Sequence, residues 1–473
     1  MPPTTGRQSP SPLAGEGRGE GGAPQGREGV ESEALAPTES VPPMKKPHTK
    51  QTRRMNILFI HQNFPGQFRH LAAHLARQPG IHVRAIGREQ APGLAGIRLH
   101  RYRPHRRAGK NTHPYARTFE EGVLHGQQVL RLLLDLQRQE GYRPDLVIAH
   151  PGWGETLYLK QAFPHTPLIH FCEYYYRTQG ADAGFDPEFP LALHSAAAIH
   201  SRNALHLLNL ENCDLGVTPT RWQHGLHPAA YRDKIRVIHE GIDTANLGPN
   251  PNAVLTLPDG RQLKAGDPVI TYVARNLEPY RGFHRFMRAL PKLLQAHPDC
   301  QIVVIGGNDV SYGSRPKDAP DWRTKLLREN PVDPARVHFL GKVPYATYRS
   351  ALQVSAAHVY LTYPFVLSWS LLEALACGCP VIASDTAPVR EVIRHGDNGW
   401  LVDFFDGDAL VERMLHALAD PRDGNGLRER ARRSVRDYSV DKGIRGYLTE
   451  MERLLGHSFA TIQAKVHQIE EIS

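Results

Sequence analysis

The chain has 473 residues, of which 40% are apolar and 22% charged, and its formal net charge is +9. This length predicts about two or three domains with sizeable cores, and the composition excludes a wholly disordered chain. No apolar run reaches the roughly 18 residues of a membrane-spanning helix, and no apolar segment opens the chain as a secretory signal would. The five cysteines are scattered without zinc-binding spacing, which predicts reduced thiols in a cytoplasmic protein.

Residues 1–54 are rich in Gly, Pro, Ser and Glu and almost free of aromatic and β-branched side chains. Such a segment cannot bury enough apolar surface to fold, so we predict a disordered arm that carries no chemistry. Its repeat-like stretch, residues 9–21, resembles a translated intergenic repeat. Met44 or Met55 is therefore a candidate for the true start of the protein.

Strands and helices alternate in the first half of the folded chain. The predicted elements are, in order, a strand at 56–60, a helix at 68–78, a strand at 83–86, a helix at 123–140, strands at 145–149 and 167–171, a helix at 197–210, and strands at 215–218 and 235–238. This alternation favours a parallel sheet that is covered by helices on both faces.

A polar segment rich in Asn, Pro and Gly, residues 243–268, predicts a connection between two domains. A second alternation follows, with strands at 269–273, 301–306, 337–340, 359–361 and 381–383, helices at 283–297 and 368–377, and a last amphipathic stretch at 443–455. Two doubly wound sheets in succession predict an α/β protein with a cleft between its domains. Ligands in such sheets bind at the carboxyl ends of the strands.

The helix predicted at Ser368–Cys377 carries the most informative motif. Leu371 and Leu375 recur at helical spacing, and Gly378 ends the helix. Glu373 is the one carboxylate in this otherwise apolar stretch. Since an unpaired buried carboxylate is costly, we expect Glu373 to face the cleft or to meet a partner.

Two groups near strand ends and helix starts are suited to binding phosphate. Arg275 and Arg281 follow the strand at 269–273, and guanidinium groups bind phosphate oxygens through paired hydrogen bonds. The backbone N–H groups of Leu367 and Ser368 open the helix at 368–377, where the helix dipole also favours an anion. A salt-bridged surface loop is the alternative interpretation of the arginine segment.

Two residues of the first half follow predicted strands and so belong near the cleft. Gly66 lies in the loop after the strand at 56–60 and permits a close backbone approach. His150 follows the strand at 145–149. A plain turn and a structural histidine are the alternative interpretations.

An aromatic and acidic segment follows the strand at 167–171. Aromatic faces and carboxylates suit sugar recognition, so we predict an acceptor-binding loop, with a surface loop as the alternative. Its candidate residues are Glu173, Tyr175 and Arg177, followed by the acids Asp182, Asp186 and Glu188. Because these acids lack an Asp-x-Asp pair, we predict no metal site.

Positive charge is concentrated near the beginning of the folded chain. Residues 55–107 contain nine Arg, no Lys and one acid, and five of the arginines fall within Arg98–Arg107. Such a cluster could contact anionic lipid head groups, a phosphorylated acceptor or nucleic acid. No nucleic-acid motif accompanies it, so we expect no nucleic-acid partner. A solvated loop is the alternative.

The motif at 368–384 resembles the signature of retaining glycosyltransferases of family 4, the former group 1, whose fold is GT-B. The resemblance covers roughly residues 55–455. It implies that Glu373 contacts the ribose of a nucleotide-sugar donor and that Arg275 and Arg281 correspond to the family's phosphate-binding Arg…Lys-Gly loop. This chain departs from the pattern in two ways: Arg281 stands for the lysine at a spacing one residue longer, and Phe365 stands where the family has the first glutamate of its E-x7-E motif.

The same resemblance extends to the first half and to the domain boundaries. It implies that Gly66 approaches the donor phosphate, that His150 lies near the donor sugar, and that residues 239–243 mark the turn between domains. The implied organisation is an acceptor-side domain at 55–242, a donor domain at 243–436, a helix at 437–457 that crosses back to the first domain, and a tail at 458–473.

The resemblance implies retaining transfer of a sugar from a nucleotide-diphosphate sugar to a saccharide, lipid-linked or cell-envelope acceptor, without a metal or other cofactor. Peripheral membrane contact at the inner face would use Arg98–Arg107. A sugar-nucleotide epimerase and a catalytically silent sugar-nucleotide- or polysaccharide-binding module stay as alternatives. A nicotinamide enzyme is disfavoured because no G-x-G-x-x-G motif follows the first strand.

Overall fold

A computed structural model of the chain describes residues 54–420 and 426–459. The predicted disordered arm and tail, residues 1–54 and 458–473, fall almost wholly outside the described residues, and both stay predictions. The described residues contain two doubly wound parallel sheets, each with its own covering helices, which confirms the predicted GT-B fold class.

The amino-terminal domain has a seven-stranded parallel sheet in the order β3-β2-β1-β4-β5-β6-β7. Its strands are β1 Met55–Ile60, β2 Ile81–Arg88, β3 Arg98–Tyr102, β4 Leu146–Ala149, β5 Leu168–Phe171, β6 Leu215–Thr218 and β7 Ile235–Val237. Its helices are α1 Arg69–Ala76, α2 Arg117–Glu140, α3 Leu159–Ala162, α4 Leu193–Asn212, α5 Arg221–Leu226 and α6 Ala229–Arg232. The winding reverses between β1 and β4, so their carboxyl ends flank a ligand-binding crevice.

The carboxyl-terminal domain has a six-stranded parallel sheet in the order β12-β11-β10-β13-β14-β15, and a separate hairpin of β8 and β9. These strands are β8 Val254–Thr256, β9 Gln262–Lys264, β10 Val269–Asn276, β11 Gln301–Gly307, β12 Val337–Gly341, β13 Ala357–Tyr360, β14 Val381–Ser384 and β15 Trp400–Val402. The helices are α7 Phe283–Ala296, α8 Trp322–Glu329, α9 Tyr345–Val354, α10 Trp369–Ala376, α11 Ala387–Arg390, α12 Gly407–Ala419, α13 Leu427–Ser434 and α14 Val440–Leu455. Here the winding reverses between β10 and β13.

The first strand shows why the strand sequences are continuously apolar. Ile57 and Phe59 belong to the core cluster that also contains residues of α1, whereas Leu58 and Ile60 belong to the cluster under α2. All four side chains are fully buried. A strand covered on both faces has no solvent side, so no alternation with polar residues is required.

Helix α14 crosses back from the carboxyl-terminal domain to the amino-terminal one. Its Tyr447 and Met451 are buried in the cluster that contains Phe59 and Leu71. This confirms the crossover helix that the resemblance implied. Among the described residues, no helix is both long and apolar enough to cross a bilayer.

The segment at 243–268, predicted from the sequence as a connection between domains, contains regular structure that the sequence analysis did not identify. It contains the β8–β9 hairpin, whose Leu255 and Leu263 pack with Val269 and Val303 of the carboxyl-terminal domain. The expectation missed these strands because each has three residues and exposes the two on either side of its buried leucine.

The arginines at 98–107 lie partly in an edge strand rather than in a solvated loop. Arg98 of β3 forms an ion pair with Glu140 at 2.9 Å, and Arg101 donates to the carbonyl oxygen of Ala91 at 2.8 Å. Arg106 forms an ion pair with Glu120 at 2.6 Å. Much of the charge that could bind lipid is therefore engaged within the protein.

The acidic loop after β5 crosses to the carboxyl-terminal domain and holds it there. Asp186 is completely buried and accepts hydrogen bonds from His284 Nε2 at 2.8 Å, Tyr363 Oη at 3.0 Å and Arg285 at 3.2 Å. Glu188 also binds Arg285, at 2.8 Å. Asp186, Glu188 and His284 are close enough to hold a metal ion, but Arg285 already supplies positive charge to both carboxylates. We call Asp186, Glu188 and their partners on α7 the interdomain clasp.

Candidate active site

A cavity of about 710 Å³ lies between the two domains. Its walls are formed by the segments that follow β1, β4 and β5 on one side and by the ends of β10 and β13 on the other. These include the strand ends next to both reversals of winding, where ligands of doubly wound sheets are expected. Of the residues predicted for the site, the cavity brings together Gly66, His150, Glu173, Arg275, Arg281, Leu367 and Ser368.

Arg281 is a buried cation that faces this cavity. Its side chain is held in a short turn after β10, where it donates to Thr362 Oγ1 at 2.8 Å and to Tyr360 Oη at 3.4 Å. The guanidinium also lies 5.4 Å from the ring centre of Tyr312 and 5.7 Å from that of Phe365. Within the described ranges no carboxylate pairs with it. A buried guanidinium whose partners are hydroxyls and rings favours an anionic ligand.

Arg275 offers a second positive charge on the same wall. It is exposed at the end of β10, and it forms no hydrogen bond or ion pair with the part of the chain that the structure describes. Glu278 on the same segment does not pair with Arg275, because the Glu278 carboxylate is buried and accepts the backbone N–H groups of Ser311, Tyr312 and Gly313. Both predicted arginines thus remain available for phosphate.

The start of α10 is less open than the sequence suggested. Ser368 Oγ accepts the backbone N–H of Ser370 at 3.3 Å and caps the helix, and the N–H of Ser368 donates to Tyr360 Oη at 2.8 Å. The expectation that the Ser368 N–H is free for phosphate is therefore corrected. Leu367 lines the cavity, and its N–H has no partner among the described residues, so its phosphate contact stays a prediction.

Phe365 forms an aromatic wall at the position where the family motif has glutamate. Its ring centre lies 4.8 Å from those of Tyr174 and Tyr312 and 5.4 Å from that of Tyr280. Tyr174 belongs to the amino-terminal domain, so this aromatic cluster joins both walls of the cavity. A ring at this position offers a sugar an apolar face instead of a hydrogen-bonding carboxylate.

Glu373 does not line the cavity. Its carboxylate accepts hydrogen bonds from Tyr345 Oη at 2.9 Å and Tyr348 Oη at 2.6 Å, both on α9. The expectation that this carboxylate meets a partner agrees with these contacts. Its predicted contact with ribose is not tested by them and stays a prediction. The two tyrosines could not be recognised as partners from the sequence, because they lie about 25 residues earlier in the chain.

Gly66 brings backbone against the ring of His61. Its φ is +48°, and a Cβ added there would lie 2.5 Å from His61 Nε2. His61 Nδ1 accepts the N–H of Asn63 at 2.9 Å, which places the ring proton on Nε2, facing Gln67 Oε1 at 2.9 Å. Burial, with a smaller contribution from His150, lowers the pKa of His61 to about 3. His61 is therefore a neutral donor that orders the loop.

We expect Gly66→Ala to lower the free energy of unfolding by about 1–3 kcal/mol and to reduce turnover, because the new methyl group displaces His61 and the loop. Gly96→Ala is a matched control, since Gly96 also has a positive φ, +79°, but nothing within 4 Å of an added Cβ. Denaturant unfolding and steady-state rates of both variants check this. Equal losses in the two variants would contradict the steric argument.

A hydrogen-bonded network on the amino-terminal wall has Glu173 at its centre. Glu173 Oε1 accepts from Gln67 Nε2 at 2.9 Å, and Oε2 accepts from His150 Nε2 at 3.3 Å. His150 Nδ1 accepts the N–H of Gly152 at 3.1 Å, which places its ring proton on Nε2. Burial by itself raises the pKa of Glu173, but the hydrogen bonds from His150 and Gln67 outweigh it and hold the pKa below its usual range. Glu173 is an ionised carboxylate that faces the cavity.

Glu173→Gln is expected to lower kcat/KM by about 10–100-fold. The amide keeps the shape of the carboxylate, but its NH2 group can only donate. Gln67 Nε2 and His150 Nε2 both donate to Glu173, so one of them would then lie opposite another donor. His150 cannot simply change its tautomer, since the N–H of Gly152 occupies Nδ1. Nucleotide binding should be unchanged, because the arginines on the other wall are untouched. Comparing kcat/KM with nucleotide affinity by calorimetry checks this, and a parallel loss of both would contradict it.

Two of the three residues predicted for the acceptor lie outside the cavity. Arg177 donates to the carbonyl oxygen of Leu226 at 2.8 Å, and its guanidinium lies 5.1 Å from the ring centre of Tyr175. The predicted acceptor contacts of Tyr175 and Arg177 are not tested by this placement and stay predictions. Glu173 lines the cavity, as do Tyr174 and Tyr176 of the same predicted loop. The period of two in an extended segment could have separated the two tyrosines from Tyr175 and Arg177.

Further residues of the cavity were not identified from the sequence. They are His61, Gln67, Trp153, Tyr312, Arg69 and Arg202. His61, Gln67 and Trp153 lie in loops that follow β1 and β4, and this position was the available signal. Tyr312 and Arg202 had no such signal in the sequence, since only tertiary packing brings them to the cavity.

Comparisons with known proteins agree with this geometry. The family model described as "Glycosyl transferase family 4 group" matches residues 79–247, and that described as "Glycosyl transferases group 1" matches residues 257–435. A phosphatidyl-myo-inositol mannosyltransferase of Mycolicibacterium smegmatis is 32% identical over 206 residues, covering 42% of this chain and 47% of that protein. A D-inositol 3-phosphate glycosyltransferase of Mycobacterium bovis is 26% identical over 246 residues, covering 51% and 48%. The chain thus spans about half the length of the curated relatives it matches.

Solved structures show the fold. Sucrose-phosphate synthase from Thermosynechococcus elongatus superposes with a TM-score of 0.64 at 20% identity, covering 85% of this chain and 99% of that one. Anabaena HepE, solved in complex with UDP-glucose, gives a TM-score of 0.59 at 15% identity, covering 84% and 100%. At these identities the likeness extends to architecture alone. Together with the two family matches, which run from residue 79 to residue 435 with one short gap, it shows that the chain belongs to the family 4 (group 1) glycosyltransferases, with the GT-B fold.

Proposed function

We propose that this protein is a retaining glycosyltransferase that moves a hexose from a nucleoside-diphosphate sugar to an acceptor hydroxyl. The observation that carries the proposal is Arg281, a buried guanidinium without a carboxylate partner in the described chain, at the cavity between two doubly wound domains. Arg275 adds a free charge on the same wall. Retention of configuration comes from family membership and not from any distance in the site.

The two walls divide the work of the reaction. As the bond between the anomeric carbon and the diphosphate breaks, negative charge grows on the departing phosphate oxygen, and Arg275 and Arg281 stabilise that charge. Glu173 and His150 on the opposite wall orient sugar or acceptor hydroxyls by hydrogen bonds. The new bond forms between the anomeric carbon and the acceptor oxygen, and the proton of the acceptor hydroxyl passes to the departing diphosphate. We propose that no metal takes part, since the arginines supply the positive charge.

Relatives guide the choice of substrates to test. Two curated relatives are described as mannosyltransferases, one of them GDP-mannose-dependent and acting on a phosphatidylinositol mannoside. GDP-mannose is therefore the first donor to test, followed by UDP-sugars. We propose a saccharide, lipid-linked or cell-envelope acceptor and a reaction in the cytoplasm, and the phosphatidylinositol mannoside named for one relative supports the lipid-linked choice. Peripheral membrane contact through the arginines at 98–107 is a subsidiary proposal, which co-sedimentation with anionic vesicles tests.

The proposal is tested by the melting temperature of the full chain with GDP-, UDP-, ADP- and TDP-sugars. A ligand that binds only the native state raises this temperature. We expect one nucleotide class to do so in wild type, and Arg275→Ala to abolish the effect. Loss also in Glu373→Ala supports the ribose contact of Glu373, whereas an unchanged effect restricts Glu373 to ordering Tyr345 and Tyr348. No effect from any nucleotide would contradict the proposal.

A silent sugar-nucleotide-binding module is the second candidate, and the observation that favours it is Phe365 in place of the first motif glutamate. Analysis of products with the binding donor separates the possibilities. Sugar transferred to an acceptor supports the transferase, an altered free nucleotide sugar supports an epimerase of the same fold, and binding without turnover supports the silent module.

A further inference from the structure

The cavity contains two arginines beyond the pair that the proposed function assigns to the departing diphosphate. Arg275 and Arg281 lie on the carboxyl-terminal wall, whereas Arg69 and Arg202 lie on the amino-terminal wall. Throughout residues 54–420 and 426–459, none of the four forms an ion pair with a carboxylate. The amino-terminal pair thus faces the side of the cleft where the acceptor enters in the proposed function.

Three carboxylates also line the cavity, but none of them forms an ion pair with these arginines. Glu173 accepts hydrogen bonds from Gln67 and His150, Glu240 from Trp369 Nε1 at 2.6 Å, and Glu278 from three backbone N–H groups. The guanidinium N–H groups of Arg69 and Arg202 are therefore not held by a carboxylate among the described residues, and they can bind a ligand.

The structure shows more contacts that orient Arg202 for an anion than it shows for Arg69. Its guanidinium lies 4.0 Å from the ring centre of Tyr176. Asn203 fixes Tyr176 by two hydrogen bonds, accepting its N–H at 3.1 Å and donating to its carbonyl oxygen at 2.8 Å. A guanidinium stacked on a ring keeps its in-plane N–H groups free, and these bind two oxygens of one phosphate.

His206, one turn further along α4, connects Arg202 with the reactive wall. Burial, together with the charges of Arg202, His150 and His227 and against that of Glu173, lowers the pKa of His206 to about 3. His206 is therefore neutral, and Arg202 supplies the positive charge of this pair. Arg202 and His206 both flank Tyr176, at 4.0 Å and 5.5 Å from its ring centre, and they line the same cavity as His150 and Glu173.

We infer that the acceptor carries a phosphate group and that Arg202 binds it. The inference rests on the proposed glycosyl transfer and names the class of acceptor. The phosphate of a lipid head group and that of a soluble sugar phosphate share this chemistry. The donor diphosphate is not the ligand of Arg202, because its two arginines lie on the opposite wall.

The test uses the full chain saturated with the nucleoside diphosphate that binds it best, so that Arg275 and Arg281 are occupied. Calorimetric titrations with inorganic phosphate, glucose 6-phosphate and glucose are made on wild type, Arg202→Gln, Arg202→Lys and Arg131→Gln. Arg131 is an exposed arginine of α2 outside the cavity and serves as the matched control. Vesicles of phosphatidylinositol and of phosphatidylcholine distinguish a lipid source from a soluble one.

We expect glucose 6-phosphate to bind more tightly than glucose and Arg202→Gln to weaken it about tenfold or more. Arg202→Lys should weaken it less, and Arg131→Gln should leave it unchanged. Phosphate compounds that bind no better than glucose, or as well to Arg202→Gln as to wild type, would overturn the inference. If nucleotides fail to bind any variant, the proposed function fails and the inference fails with it. If a nucleotide binds but phosphate compounds show no dependence on Arg202, the inference alone fails.

Discussion

Arg281→Gln is expected to lower kcat/KM by about 10²–10³-fold without lowering the melting temperature of the ligand-free protein. The reason lies in the surroundings of the side chain. Arg281 is buried beside hydroxyl groups and rings, with no carboxylate partner in the described chain. Its charge is therefore a cost in the free protein that is offset only when an anion binds. Removing the charge should weaken the stabilisation of the departing diphosphate, and it should also remove the free-energy cost of a buried charge in the free protein.

The matched control is Arg315→Gln in the same domain. Arg315 is exposed and forms an ion pair with Asp309 at 2.6 Å. Exposed pairs contribute at most about 1 kcal/mol, so both rate and melting temperature should stay near wild type. Steady-state kinetics and thermal unfolding without nucleotide check both variants. A large drop in the melting temperature of Arg281→Gln would show that Arg281 is a structural residue and would contradict its assignment to the donor.

Asp186→Ala is expected to destabilise the protein by about 3–5 kcal/mol, because it removes one partner of a fully buried polar cluster. Without the carboxylate, the side chains of His284, Tyr363 and Arg285 lose a shared acceptor. The clasp also joins the two domains, so α7 should unfold at a lower denaturant concentration than in wild type, and its amides should exchange faster. Hydrogen exchange of α7, together with denaturant unfolding, measures this change.

The same cluster predicts a dependence on pH. Burial raises the pKa of Asp186, but hydrogen bonds from His284 and from the N–H of Glu188 outweigh it and lower the pKa from 3.8 to about 2. A carboxyl with a depressed pKa stabilises the fold above its unfolded pKa and loses that contribution as pH falls through the folded value. The stability difference between wild type and Asp186→Ala should therefore be constant above 3.8 and shrink toward pH 2.

Glu188→Ala is the control for the clasp. Glu188 binds Arg285 and Arg288 with about a third of its side chain exposed, so its loss should cost no more than about 1 kcal/mol. Similar losses in Glu188→Ala and Asp186→Ala would contradict the claim that burial of Asp186 is what makes the clasp strong.

The sequence predicted those parts of the fold that depend on local pattern. The two alternations of strand and helix, the α10 motif and the crossover helix α14 were all found, because apolar periodicity responds to burial within a short window. Strand β3 and the β8–β9 hairpin were missed, because one is arginine-rich at a sheet edge and the other has only three residues in each strand. Their formation depends on neighbours that are distant in sequence.

The sequence also determined which strand ends carry chemistry. Gly66 and His150 follow β1 and β4, and Arg275 ends β10, so the topology of the sheets was sufficient to place them at the reversals of winding. Tertiary structure alone decided how polar groups pair across the chain. It paired Glu373 with two tyrosines of α9, Asp186 with α7 and Glu173 with His150 and Gln67. Within the described residues it left Arg281 and Arg202 without a carboxylate partner. Charge pairing depends on distances of a few ångströms between residues far apart in sequence, and periodicity carries no information about such distances.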